Sequence, residues 1–155
     1  MKNLAIIILF LGTFLLQAQP TESPKVVEPT LEVTKAFEKE FPKIKPVWRK
    51  EFTGDDNDKL SYEADFTLDN TNMTAVYNVV GVFKVLEVQI QTADIPVKIS
   101  SYMAKNYPKN GIKKAARLMT NNNKITYEIG ITINDTWVDA IFNKEGDFLE
   151  MVPKD

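Results

Sequence analysis

A strict alternation of apolar and polar residues, and its return later in the chain, limits what this sequence can fold into. Between residues 60 and 68 polar residues separate five apolar ones, which are Leu60, Tyr62, Ala64, Phe66 and Leu68. A period of two is typical of a strand with one buried face. Adding 65 to each position reaches another apolar set, which is Ile125, Tyr127, Ile129, Ile131 and Ile133. A pattern that returns at a fixed offset predicts one structural unit present twice.

Each copy is predicted to contain one amphipathic helix followed by four short strands. The helices are predicted at 31–41 and 95–107, with Thr30 and Asp94 as caps and Pro42 and Pro108 as stops. Polar turns between the apolar segments favour antiparallel neighbours. The predicted strands span 47–52, 59–68, 72–79 and 82–90 in the first copy, and 112–119, 124–133, 136–143 and 147–152 in the second.

The predicted fold class is therefore α+β, a tandem duplication of a unit with one N-terminal helix packed on a four-stranded antiparallel sheet. The first copy is assigned to residues 30–92 and the second to 93–155. A unit of this size is marginally stable alone, so we expect the copies to pack together or to join their sheets.

The N-terminal segment predicts export. A short charged start, Met1-Lys2-Asn3, precedes an apolar run from Leu4 to Leu16, and Ala18 follows as a small cleavage-site residue. We predict a signal peptide at 1–18 and a flexible, proline-containing leader at 19–29. Because a membrane helix needs about 20 apolar residues, we expect no membrane span after signal removal. The predicted location is the periplasm or the outer cell surface.

The composition excludes most catalytic equipment. The sequence has no His and no Cys, which removes the commonest general base, the commonest metal ligand and the thiol nucleophile. We therefore predict a protein that is not an enzyme, with no catalytic, metal or cofactor site. The 19 basic residues are dispersed among 21 acidic ones, which argues against a nucleic-acid partner.

Two glutamates occupy equivalent places directly after a strand tyrosine. Glu63 and Glu128 form a pair that could do acid and base work. Both fall on the polar phase of their strands, where the sequence gives no sign of the burial that shifts a pKa. We expect both carboxylates to be solvated.

A candidate partner surface comes from apolar residues on that polar phase. Trp137 and Ile141 fall opposite to Val138, Ala140 and Phe142 in the alternation. In the first copy, Val76 and Val80 are predicted to fall opposite to the core residues of their segment. Such residues mark either a surface for a partner or the seam between the two copies.

Short motifs in both copies resemble the PepSY-like family of bacterial envelope proteins, whose fold is similar to that of β-lactamase inhibitory protein (BLIP). In the first copy they are Phe41-Pro42, Trp48, Tyr62-Glu63-Ala64-Asp65-Phe66, Ala75-Val76-Tyr77 and Gly81. In the second they are Ile95-Pro96, Tyr107-Pro108, Tyr127-Glu128, Phe142-Asn143 and Gly146.

The resemblance implies an envelope protein that binds or restrains another protein, and it supplies no catalytic residues. The leading hypothesis is a non-enzymatic exported module that binds another envelope protein or a peptide. In one version of this hypothesis, binding inhibits the partner. An alternative is a carrier that holds a small ligand or peptide between helix and sheet. A third is a hydrolase that uses carboxylates alone, which would require two close, buried carboxylates in a cleft.

Overall fold

The computed structural model describes residues 27–53 and 59–154. The predicted signal peptide and most of the predicted leader lie outside these residues. All eight predicted strands are present, with bounds that differ from the predicted ones by up to two residues. The elements are α1 (Leu31–Glu40), β1 (Val47–Thr53), β2 (Lys59–Leu68), β3 (Thr71–Asn78), β4 (Phe83–Gln89), a 3₁₀ turn (Thr92–Asp94), α2 (Val97–Asn106), β5 (Lys114–Thr120), β6 (Ile125–Ile133), β7 (Thr136–Asn143) and β8 (Phe148–Lys154).

The helix ends follow local capping chemistry. Thr30 caps α1 as predicted, since its hydroxyl accepts a hydrogen bond from the backbone nitrogen of Val33 at 3.4 Å. The predicted cap of α2 is wrong, because Asp94 lies in the 3₁₀ turn and α2 begins after Pro96. A proline restricts the residue before it to extended backbone, so Ile95 cannot be the first helical residue.

The strands form one antiparallel sheet in chain order from β1 to β8. The fourth and fifth strands pair directly, from Val85 opposite Thr120 to Gln89 opposite Ala116. The predicted fold class is therefore wrong: the chain is one eight-stranded sheet with two helices, not a duplicated unit of one helix on a four-stranded sheet. Pairing of β4 with β5 satisfies backbone groups that two separate sheets would leave exposed at their edges.

Both helices cover the same face of this sheet. The side chains of Val33 and Phe37 on α1 are buried among residues of β2 and β3, and those of Ile99 and Met103 on α2 among residues of β5 to β7. The fully or nearly fully buried sheet residues beneath the helices are Tyr62, Ala64, Phe66, Ala75, Tyr77, Ala115, Ile129, Ile131, Ala140 and Phe142.

Aromatic side chains dominate the packing under α1. The ring of Phe37 lies 5.4 Å from that of Trp48 and 5.3 Å from that of Phe66, both edge to face.

Neither of the helices in the described ranges has the length and apolar character to cross a membrane. Both helices pack on one face of the sheet, so neither of them covers the other face.

Candidate functional site

We call the sheet face opposite α1 and α2 the open face. Successive side chains of a strand point to opposite faces, so the neighbours of the buried residues Tyr62, Ala75 and Ala140 point away from the helices. Within the described part of the chain, neither helix contributes a core contact on this side. The charged and aromatic residues that the strand register places there include Arg49, Glu51, Glu63, Asp65, Glu87, Lys114, Glu128, Trp137, Asp139, Glu150 and Lys154.

The first charged group on the open face is the Arg49 cluster, formed by Arg49, Glu51, Glu63 and Asp65. The guanidinium of Arg49 donates through Nη2 to Asp65 Oδ1 at 2.9 Å and lies 3.0 Å from Glu63 Oε2. Thr74 on β3 donates to the same Asp65 oxygen at 2.7 Å. One arginine therefore holds two carboxylates of β2 in fixed positions, in the forked geometry that guanidinium groups favour.

Within this cluster Glu63 forms a carboxyl pair with Glu51. The two residues are diagonal neighbours on β2 and β1, because Glu63 is opposite Arg49 and Glu51 is opposite Ser61. Burial raises the pKa of Glu63 to about 7, and the hydrogen bond with Glu51 adds to this rise. The attraction of Arg49 opposes the rise but does not cancel it.

The second charged group is the Lys114 cluster, formed by Lys114, Glu87, Glu128 and Asp139. The ammonium of Lys114 on β5 lies 2.6 Å from Glu87 Oε1 on β4 and 3.8 Å from Glu128 Oε1 on β6. Lys154 on the edge strand approaches Asp139 Oδ2 at 3.7 Å. Two lysines thus face three carboxyl groups between β4 and β8.

Glu128 and Asp139 form the second carboxyl pair. Their side chains belong to β6 and β7, and only 9% of Glu128 and 2% of Asp139 is exposed. Burial raises the pKa of Glu128 to about 7, followed in importance by its hydrogen bond with Asp139. The expectation that Glu63 and Glu128 are solvated is therefore wrong for Glu128, and Glu63 keeps only 16% of its side chain exposed.

Trp137 is held rigidly beside this second pair. Its indole Nε1 donates to Asp139 Oδ1 at 3.0 Å, and its ring lies so close to Gly130 that a Cβ there would be 2.7 Å from Cζ2. The side chain remains 36% exposed. A large aromatic ring is therefore presented to solvent in one orientation.

A shallow groove of about 390 Å³ connects the two clusters across the centre of the open face. Asp65 of the Arg49 cluster lines one side, and Glu87 and Lys114 line the other. Asn72 donates a hydrogen bond to Gln89 Oε1 at 2.9 Å, and both amide groups line the groove. The groove offers hydrogen-bonding groups and charges but no enclosed cavity.

The four residues predicted to form a partner surface are only partly brought together. Trp137 and Ile141 lie four residues apart on the open face of β7, with Asp139 between them on the same face. Val76 shares this face but lies on β3, four strands away, which is roughly 19 Å at about 4.8 Å per strand. Val80 lies in the turn between β3 and β4 and is 63% exposed. None of the four belongs to the pairing of β4 with β5, where the two halves of the sheet meet.

Sequence reasoning missed the two carboxyl pairs. The signal that could have found them is the placement of several acids on the polar phase of adjacent strands with one base between them. Across residues 27–53 and 59–154, no group of three or more Asp and Glu is arranged to hold a metal ion.

No protein-family model matches this chain, and no curated protein matches it. Several solved structures are similar to it over most of its length. A candidate periplasmic protein from Bacteroides eggerthii is 11% identical with a TM-score of 0.65, covering 82% of this chain and 90% of that one. A DUF2874 family protein from Bacteroides ovatus is 14% identical with a TM-score of 0.64, covering 82% and 89%. A BLIP-like protein from Bacteroides fragilis is 16% identical with a TM-score of 0.61, covering 82% and 87%.

Identities this low show a common fold and carry no function from one chain to another. The predicted likeness to the inhibitor fold is confirmed, while the assignment to the PepSY-like family stays a prediction. The chain therefore has the fold of a BLIP-like protein.

Proposed function

We propose that this protein is an exported, non-enzymatic module that binds another envelope protein or a peptide with the open face of its sheet. The observation that carries the proposal is the rigid, 36% exposed Trp137 on a sheet face that neither helix covers. Tryptophan is enriched among the residues that dominate binding energy at protein interfaces. The charged side chains around Trp137, held in place by ion pairs, would fix the orientation of the bound partner.

Two features support an exported location. The apolar run from Leu4 to Leu16 has the length and flanks of a secretory signal. One similar structure belongs to a candidate periplasmic protein and another to a BLIP-like protein. The periplasm or the outer surface is therefore the proposed location. Inhibition of the bound partner is one version of the proposed binding function.

The alternative, a carrier with a ligand between helix and sheet, has less support. Phe37 of α1 is 1% exposed and Ile99 of α2 is 0% exposed, so both helices are packed tightly onto the sheet. A ligand there would have to displace core side chains, which costs several kcal/mol in close-packed interiors (about 2–5 kcal/mol per large residue).

A hydrolase that uses carboxylates alone is also poorly supported. Glu128 and Asp139 are close and buried, but they bond to each other and Asp139 also accepts from Trp137. Neither residue lines the central groove. Glu63 and Glu128 lie four strands apart, roughly 19 Å, which is too far for one acid and one base to act on the same bond.

Capture from an envelope extract with the mature chain as bait tests the proposal. The Trp137→Ala variant is compared with Val97→Ala, which removes an 80% exposed apolar side chain from α2 on the opposite side. We expect Trp137→Ala to weaken binding of the partner roughly thirtyfold, as loss of about 2 kcal/mol implies, and Val97→Ala to leave it unchanged. Equal capture by both variants would refute the proposed surface.

A thermal-shift screen with lipids, peptides and cell-wall fragments tests the carrier alternative. A ligand bound between helix and sheet raises the melting temperature of the wild type and of Trp137→Ala alike. We expect no small molecule to do so. The companion variants Ile141→Ala, Val76→Ala and Val80→Ala then map how far the surface extends around Trp137.

A further inference from the structure

A row of hydrogen-bonded polar side chains crosses three strands of the open face. Thr67 on β2 donates to Asn72 Oδ1 on β3 at 3.1 Å, and Asn72 Nδ2 donates to Gln89 Oε1 on β4 at 2.9 Å. All three residues are exposed. Within the described chain these bonds orient both amide groups and leave each of them at least one NH hydrogen and one oxygen lone pair for a ligand.

The ring of Trp137 borders the groove that this row lines. It fills the space above Gly130, because its Cζ2 lies 2.7 Å from the position of a Cβ there, and Lys114 Cβ lies 3.2 Å from the same position. Lys114 also lines the central groove, together with Asn72 and Gln89. An exposed aromatic ring and two oriented amide groups therefore belong to one continuous surface, with the stem of Lys114 between them.

The charged groups of the groove already have partners on the sheet. Asp65 accepts a hydrogen bond from Arg49 at 2.9 Å and another from Thr74 at 2.7 Å. Glu87 Oε1 lies 2.6 Å from the ammonium of Lys114. A charged ligand would have to rearrange these ion pairs, whereas an uncharged ligand with donors and acceptors can use the amide groups without that cost.

We propose that this groove binds an uncharged glycan chain, with one sugar ring against Trp137 and sugar hydroxyl groups on the amides of Asn72 and Gln89. A hydroxyl group both donates and accepts, as a side-chain amide does. The face of a pyranose ring that carries CH groups is apolar, which suits an indole ring that is 36% exposed. The inference goes beyond the proposed protein binding, because it assigns a second class of ligand to the same face.

The spacing of the row favours a glycan over an extended peptide. Thr67, Asn72 and Gln89 lie on adjacent strands, so their side chains repeat at about 4.8 Å, which is close to the length of one β-linked pyranose unit. Peptide groups on one side of an extended chain repeat every second residue, at about 6.6–6.8 Å. Successive peptide groups would therefore fall out of step with the row, whereas successive sugars stay in step.

A proton–nitrogen NMR titration of the mature protein with chitin fragments, from the disaccharide to the hexasaccharide, tests the inference. These fragments are uncharged chains of β-linked pyranose units. We expect shifts of the indole signal of Trp137 and of the side-chain amide signals of Asn72 and Gln89, with an affinity that rises with the length of the fragment. A Gly-Ser peptide of equal length should cause none of these shifts.

Substitutions in the groove should weaken binding of the hexasaccharide. We expect a loss of about fivefold for Asn72→Ala and for Gln89→Ala, and of about tenfold for Trp137→Ala, with partial recovery in Trp137→Phe. The matched control is Asn106→Ala, which removes an exposed amide of α2 that bonds to the backbone oxygen of Tyr102. This variant should bind as the wild type does.

The absence of any shift at Trp137, Asn72 and Gln89 with about 10 mM hexasaccharide would overturn the inference. Unchanged affinity in all the groove variants would overturn it as well. Equal shifts with the Gly-Ser peptide would show that the row recognises peptide groups instead of sugars. Capture of a partner protein that needs Trp137, without glycan binding, leaves the proposed function standing, whereas glycan binding without such capture overturns the proposed function alone.

Discussion

The indole Nε1 of Trp137 donates a hydrogen bond to Asp139 Oδ1, two residues along the same strand, at 3.0 Å. Asp139 in turn bonds to Glu128, so the most exposed aromatic side chain of β7 and a buried carboxyl pair form one connected network. Gly130 makes the arrangement possible, because only a residue without a side chain leaves room for the ring. The orientation of the Trp137 ring is therefore fixed by Asp139 and by the space that Gly130 leaves.

Gly130→Ala should disrupt this network. The added Cβ would lie 2.7 Å from Trp137 Cζ2 and 3.1 Å from Asp139 Oδ1, so the ring must move and its hydrogen bond breaks. We expect a loss of about 1–3 kcal/mol in the free energy of unfolding and a changed Trp137 emission spectrum. Gly111→Ala is the matched control, since nothing lies within 4 Å of a Cβ there. Equal stability of the two variants would show that the ring is not held as described.

Glu128→Gln should flatten the dependence of stability on pH. The pKa of Glu128 is raised from 4.5 to about 7 in the folded state, so the folded protein binds more protons than the unfolded chain between these values. The stabilisation is complete below about pH 4.5 and is lost as the pH rises through about 7. Removing this group should cancel on the order of 1 kcal/mol of the loss, after allowance for solvent screening.

Urea unfolding at about pH 5 and about pH 8 measures this effect. Glutamine can still donate a hydrogen bond to Asp139, so the variant should be more stable than the wild type at the higher pH. Glu38→Gln on the surface of α1 serves as the control. A variant that loses as much stability as the wild type over this range would contradict the assignment.

The positions of the strands could be predicted from the sequence because alternation is a local property. Tyr62, Ala64 and Phe66 are buried while Glu63 and Asp65 face the other way, as the period of two requires. The capping role of Thr30 could also be predicted, because a threonine before an apolar helical pattern can cap the first turn.

The arrangement of the strands could not be predicted in this way. Alternation assigns each residue to a face, but it does not say that Val85 pairs with Thr120 and so joins β4 to β5. The carboxyl pairs were missed for the same reason. Glu128 and Asp139 become diagonal neighbours only through the register of β6 and β7, and their burial depends on the side chains around them.

Gly81→Ala should destabilise the protein more than Gly146→Ala. Both glycines have positive φ, +80° and +81°, so an alanine is strained at either position by about 1 kcal/mol. At Gly81 the added Cβ would also lie 2.7 Å from the backbone oxygen of Glu32 in α1, whereas at Gly146 the nearest atom is Lys98 Cβ at the longer distance of 3.2 Å.

Thermal unfolding of the two variants measures the difference, which reports how closely the turn after β3 packs against α1. We expect Gly81→Ala to lose about 1–2 kcal/mol more than Gly146→Ala. Identical melting temperatures would mean that α1 moves away from the turn without cost.

The continuous sheet predicts a single cooperative unfolding transition. The chain has two tryptophans, Trp48 packed on Phe37 in the first half and Trp137 on β7 in the second, so each half has its own fluorescent reporter. In a Trp137→Phe background emission follows the first half, and in a Trp48→Phe background it follows the second. Adding Phe37→Ala to the Trp137→Phe background removes a buried ring under α1. We expect it to lower the free energy of unfolding by about 3–5 kcal/mol.

The key comparison is Phe37→Ala in the Trp48→Phe background, where the remaining reporter, Trp137, is far from the mutation. If pairing of β4 with β5 couples the halves, the unfolding transition followed by Trp137 moves to lower urea concentration. The loss in free energy of unfolding then equals the loss that Trp48 reports in the other background. Ile99→Ala under α2 provides the reciprocal test, with Trp48 as the distant reporter. Two separate transitions, with the distant half unaffected, would show that the sheet is continuous in structure but not in its energetics.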